Sequence, residues 1–236
     1  MKTLAILILL GAINLSLAQD NEAINDIKKI SQRYIKLTEY AMNFQVTMKG
    51  KKTNKPVINQ KGTVIHTNQL HYVNYGGNIT LIKNNQFISV NHANKLVVYN
   101  EGEKQKNSSA QNMDLSGLLD SLFSQTAQFN YSYLPAKEGQ KKIFVEDTKR
   151  GLYEAYAITF DASSYRLLEY TYYVNPDSRQ DISEIQITYT SESLKPETNS
   201  SFYKLSYYLK GTRNKLQISD RYLGYRLIDQ TKRRDL

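Results

Sequence analysis

Three histidines and four acidic residues are the side chains whose types could support chemistry. His66 and His71 flank a tight turn, and with His92 they make the nitrogen set from which a metal site would be drawn. No carboxylate lies close enough in sequence to complete it, and neither spacing nor ligand number fits a zinc centre. The sequence therefore predicts no metal. Glu146, Asp147, Glu154 and Glu169 would have to supply a glycosidase pair, but acids on outward strand positions read as a solvated face. No Gly-x-Ser-x-Gly elbow, phosphate-binding glycine loop or His-Glu-x-x-His helix occurs. The chain is not read as an enzyme, and no cofactor is expected.

Composition narrows the field further. The 236 residues include no Cys, which excludes a disulfide framework, thiolate metal sites, a catalytic thiol and a lipidated N-terminal cysteine. There are 19 Tyr and 7 Phe but no Trp, with only 11 Gly and 4 Pro. That balance predicts a β-rich protein with amphipathic rings at surfaces and cavity mouths. Met1-Lys2, the apolar run Leu4–Leu10 and Ser16-Leu17-Ala18 read as a secretory signal peptide cleaved after Ala18. No later segment approaches the length of a transmembrane helix, so the mature chain is not expected to span a membrane. A formal charge of +9 biases an exported protein toward anionic partners, but because the charges are scattered, solubility is the favoured reading. Nucleic acid is not expected as a partner.

The elements that must carry any function follow from periodicity. Ile24, Ile27, Ile30, Tyr34, Leu37 and Ala41 recur every three or four residues, predicting an amphipathic helix over 24–41. Phe44, Val46 and Met48 then switch to period two. Strands follow at 61–67, 70–75, 79–83, 86–91 and 95–100, joined by short turns such as Asn84-Asn85, which suits a two-residue hairpin loop. A second amphipathic helix starts at Asp114, with Leu115, Leu118, Leu119, Leu122 and Phe123 on one stripe. A second strand set runs at 129–134, 142–147, 152–160, 166–174 and 183–190. Eleven antiparallel strands are too many for a flat sheet. The expected fold is mainly β, a curved half-open barrel with two lid helices; a closed barrel with outside helices is the alternative.

Helices closing over such a sheet leave either a packed core or a ligand cavity, and alternation does not distinguish them. The candidate lining is Val46, Tyr72, Leu81, Val98, Tyr156, Ile158, Tyr170, Tyr172 and Ile187, together with Leu118, Leu122 and Phe123 of the second helix. Residues 196–236 are expected to form a Tyr-rich extension packed on or near the barrel domain (19–195).

The order of elements resembles the outer-membrane lipoprotein carrier family, LolA and LolB type. Residues 26–48 (DIKKISQRYIKLTEYAMNFQVTM) resemble its opening helix and first strand. Residues 61–100 resemble its run of hairpins, and residues 151–174 (GLYEAYAITFDASSYRLLEYTYYV) its paired strands with a Phe-Asp turn. The likeness spans residues 22–191. It implies a soluble periplasmic protein that carries lipoprotein acyl chains or other lipid under a lid. One departure matters: the family's third strand carries a Phe-Arg-Trp-like run whose Arg tethers the lid, whereas LHYVNY (70–75) has neither Arg nor Trp. The alternative function is a non-transporting envelope module that contacts proteins through exposed rings of the extension, among them Tyr203, Tyr207, Tyr208, Tyr222 and Tyr225.

Overall fold

A computed structural model describes residues 21–101, 129–149, 151–212 and 215–231. The signal-peptide segment and the second amphipathic helix, with Leu118, Leu122 and Phe123, lie outside the described residues.

Helix α1 covers residues 21–36. It buries Ala23, Ile27, Ile30 and Tyr34 on one face, as the spacing predicts. It stops five residues short of the expected end. Tyr40, Met42, Phe44 and Val46 alternate and are all buried, so period two starts earlier than the sequence reading placed it. The apolar spacing of Leu37 and Ala41 fits both patterns, and burial of the strand face prevails over local helical preference.

Fourteen strands follow among the described residues. They are β1 (Tyr40–Gly50), β2 (Pro56–His66), β3 (Leu70–Tyr75), β4 (Asn78–Lys83), β5 (Gln86–Asn91), β6 (Leu96–Glu101) and β7 (Phe129–Leu134). The remainder are β8 (Gln140–Asp147), β9 (Tyr153–Asp161), β10 (Leu167–Val174), β11 (Ile182–Ser193), β12 (Leu209–Lys210), β13 (Gln217–Ile218) and β14 (Arg226–Asp229). Twelve of them form one sheet in the order β14-β6-β5-β4-β3-β2-β1-β11-β10-β9-β8-β7, and β12 pairs with β13. β14 and β7 are the edges of this sheet, with no pairing between them among the described residues. The sheet is not purely antiparallel, because β14 pairs parallel to β6. The turns obey their residue chemistry. Asn84 and Asn85 sit at φ of 50° and 62°, the two positive values that a type I′ hairpin loop requires.

The chain divides into two compact units. The first holds α1, Gln45–Asn59 and the described part of Met113–Tyr189; the second holds Leu37–Phe44, the described part of Gln60–Asn112 and the chain from Thr190. In the second unit the ring of Phe44 lies over Gly62, where an added Cβ would fall 2.3 Å from the ring. Only a residue without a side chain leaves Phe44 that place. Gly62→Ala is expected to cost about 1–3 kcal/mol through overpacking, read as a lower melting temperature. An unchanged melting temperature would show that the ring repacks freely.

Candidate functional site

In the first unit, strand register gathers five of the proposed lining residues on one face. Tyr170 stands opposite both Ile158 and Ile187, and Tyr172 opposite Tyr156 and Ile185. Ile158 and Tyr156 in turn oppose Ile143 and Val145, and Val145 opposes Tyr131. The other face carries Ala155, Ala157 and Thr171 under longer polar groups. There Glu169 accepts from Gln186 Nε2 at 2.7 Å and pairs with Lys142 at 3.7 Å. Small residues beneath a charged layer make that the outward face, which leaves the tyrosine face as the interior one.

The two ends of the interior face differ. At one end α1 is fastened by a polar cluster centred on Asp26, which is only 2% exposed. Its Oδ2 accepts from Lys141 Nζ at 2.7 Å and from Tyr133 Oη at 2.8 Å, and its Oδ1 accepts from Tyr165 Oη at 3.4 Å. Burial alone would push the carboxyl up; the bonds from Lys141 and Tyr133 and the charges of Lys141 and Lys29 overcome it and hold the carboxyl below its ordinary value. The amine of Lys141 is pushed up chiefly by its bond to Asp26. Tyr165 reaches the cluster from a left-handed conformation, φ 56°, that a bulky residue rarely adopts. Its ring is stacked on Phe160 at 5.8 Å, and Asp161 Oδ1 accepts from the amides and hydroxyls of Ser163 and Ser164 to fix the turn. Tyr34 Oη completes the fastening by accepting from the Leu167 amide at 3.0 Å.

The opposite end is a nest of rings. Tyr170 and Tyr172 lie 4.6 Å apart, Tyr172 and Tyr153 4.9 Å, and Tyr172 and Tyr156 5.7 Å, with Phe129 6.2 Å from Tyr156. Tyr153, Tyr156 and Tyr172 are half-buried, whereas Tyr170 is 1% exposed. The Tyr170 hydroxyl is buried and has no hydrogen-bond partner among the described residues. Burial, followed by the neighbouring phenols, pushes its pKa well up, so the group stays protonated at any physiological pH.

In the second unit an apolar sheet face is filled by the chain's own C-terminal segment. Tyr72 and Leu81 belong to a buried cluster with Ile65, Ile88, Val90 and Tyr99, capped by Tyr203, Tyr208, Leu209 and Tyr222. Tyr208 is fully buried and donates to the Phe202 carbonyl at 2.8 Å. Its ring is stacked on Tyr222 at 5.6 Å, and Tyr203 packs edge-on to Tyr72 at 5.1 Å. The rings expected to be an exposed partner surface are thus largely inside: Tyr203, Tyr208 and Tyr222 are buried, while Tyr207 and Tyr225 are half-buried. A segment that lies over a hydrophobic face buries its large apolar residues there, whatever their amphipathic character.

No family model matches the chain, and no curated protein matches it. Solved structures to which it is similar include an uncharacterized conserved protein from Thermus thermophilus, with 10% identity over 86% of this chain and 98% of that one and a TM-score of 0.45. They also include a LolA superfamily protein from Nitrosomonas europaea, with 9% identity over 78% of this chain and 98% of that one and a TM-score of 0.36. A third is the Mycobacterium tuberculosis lipoprotein LppX, with 12% identity over 72% of this chain and 94% of that one and a TM-score of 0.41.

The remaining candidates scatter. Val98 opposes Ser89, on the face away from Leu81, and is half-buried; its neighbours Val97 and Tyr99 enter the core instead. Val46 is buried on β1 in the first unit. His66 and His71 face each other across β2 and β3 with rings 5.9 Å apart, and Tyr40 is stacked on His66 at 5.3 Å. His92 lies elsewhere, its Nδ1 2.7 Å from Tyr225 Oη. Among the described residues no three His, Cys, Asp or Glu side chains group to hold a metal. Sequence reading missed Asp26. Its signal was present, since an acid between Ala23 and Ile27 interrupts the apolar stripe of an otherwise regular helix.

Proposed function

We propose that this chain is an envelope carrier that binds a hydrophobic ligand, an acyl chain of a lipoprotein or lipid, at the ring-lined end of the first unit's interior face. The observation that carries the reading is the asymmetry of that face. One end is locked to α1 by Asp26, whereas the other presents half-buried tyrosines around the apolar residues Ile158 and Ile187. Rings with a polar tip suit the wet mouth of an apolar site. In the second unit the C-terminal segment already covers the apolar face of Tyr72 and Leu81, which favours the first unit as the binding region. The reading is one of binding without a chemical step. Export through the segment ending at Ala18, release into the periplasm and removal of that segment complete it.

An acyl chain of some fourteen methylenes would gain roughly 11 kcal/mol gross, at about 0.8 per methylene, before the costs of ordering. Titration with a fluorescent acyl probe tests the site. Ile158 is fully buried, so enlarging it reports on packing; Ile187 is half-buried and opposes Tyr170, so it is the residue to enlarge. Ile187→Trp is expected to weaken probe binding about tenfold, the loss of roughly 1.4 kcal/mol, with only a small change in melting temperature. No saturable binding by the parent protein, or equal binding by both, would defeat the reading. Native mass spectrometry of protein taken from its own envelope separates the alternatives: bound lipid or lipopeptide supports the carrier, and a co-purifying protein with no lipid supports the interaction module.

A further inference from the structure

The Tyr170 hydroxyl is out of place in a packed interior. Buried polar groups are almost always hydrogen-bonded, and one left unsatisfied carries the full cost of its desolvation. Phenylalanine would fill the same space without that cost. Tyr170 lies between Ile158 and Ile187, flanked by the half-buried rings of Tyr156 and Tyr172, within 6.2 and 4.6 Å by ring centroid. Those two rings are half-buried, so a ligand that displaced one of them would approach Tyr170 from that side.

We infer that Tyr170 is a hydrogen-bond donor for the carbonyl oxygen of a neutral acyl ester or amide, fixing how deep the acyl chain enters. The inference rests on the carrier reading above and adds the chemistry of the bound group. A phenol held protonated by its burial has an O–H to donate, and that proton calls for an acceptor. A plain hydrocarbon has none. A free carboxylate is disfavoured, because a charge buried beside Ile158, Ile187 and the neutral phenols of Tyr156 and Tyr172 would have no counter-charge among them. A neutral carbonyl remains, as found in an esterified or amide-linked chain.

Displacement of the neutral dye N-phenyl-1-naphthylamine tests this on the full chain, with competitors delivered from cyclodextrin. Methyl palmitate and an N-palmitoyl amide should compete about five- to tenfold better than hexadecane, the value of one net hydrogen bond, and better than palmitate. Tyr170→Phe should erase that advantage while leaving hexadecane unchanged. Preference for the ester over the amide would assign a glycerolipid source, and the reverse an N-acylated protein. The ligand-free variant should also melt about 2–4 °C higher, since an orphaned group has been removed. Equal competition by ester and hexadecane, or an advantage that survives Tyr170→Phe, overturns the carbonyl contact and leaves the carrier reading standing. A lower melting temperature for the variant would show that the hydroxyl has a partner, and would overturn the contact as well. If neither ester nor hexadecane displaces the dye from the parent, the carrier reading itself falls.

Discussion

Tyr208→Ala is expected to destabilise the second unit by about 3–5 kcal/mol, the usual cost of deleting a fully buried ring. The ring is stacked on Tyr222 and capped by its own bond to the Phe202 carbonyl, so its removal leaves a cavity beneath the C-terminal segment. Ser219 ties into the same place, its hydroxyl bonding the Tyr207 carbonyl at 2.7 Å and its amide the Tyr208 carbonyl at 2.9 Å. Loss of the ring should therefore loosen the whole stretch from Phe202 to Tyr222. Thermal unfolding reads the first effect and limited proteolysis within 202–222 the second. Tyr208→Phe, which removes only the hydrogen bond, should cost about 1 kcal/mol. Parent-like melting and protease resistance in Tyr208→Ala would mean that the segment is held by something other than this ring.

Asp26→Ala is expected to cost about 3 kcal/mol, because it strips a buried acceptor from Lys141 and Tyr133 at once. The figure lies at the low end for a buried pair because about a third of the Lys141 side chain is exposed and water screens it. The same residue sets an acid limit. Its carboxyl titrates below the ordinary 3.8 in the folded protein, so the unfolded chain takes up the proton more readily. Its contribution is therefore complete above the ordinary carboxylate range and is lost as pH falls through the depressed value. Asp26→Asn, which cannot titrate, should show a flatter decline in melting temperature between about pH 5 and pH 2 than the parent. Parallel curves for the two proteins would remove Asp26 from the account of acid stability.

Much of the fold was legible because alternation and turn chemistry agree. β3, β5 and β7 fall at the boundaries that period two predicts, and the Asn84-Asn85 turn has the positive φ values its residues favour. What failed did so where two patterns overlap or where register matters. The run Leu96-Val97-Val98-Tyr99 is apolar at every position, so choosing Val98 as inward over Val97 was a one-residue slip that reversed the face. In β10 the pairing shifts between Leu167 and Glu169 and again between Tyr173 and Val174. Leu168 therefore does not continue the face of Tyr170 and Tyr172 as strict alternation suggests; Leu167 is the buried residue, opposite Phe160. An irregularity of one residue leaves no mark in composition. Which rings of the C-terminal segment enter the core of the second unit was equally hidden. Tyrosines suit an exposed partner surface and a half-polar core alike, and only long-range packing decides between them.

The parallel pairing of β14 with β6 also constrains how the chain can reach its folded state. Asn100 and Gln230, bonded at 3.2 Å, are 130 residues apart in the chain. A strand rich in valine and tyrosine thus emerges long before its outer neighbour exists, with a free row of backbone donors and acceptors along one side. Contacts this distant form slowly because the intervening loop must first be closed. During that interval β6 is an edge open to strand addition from another molecule. Deleting residues 226–231 should therefore do more harm to refolding yield at high protein concentration than the loss of so short a ladder would suggest, since what those residues supply is protection of an edge.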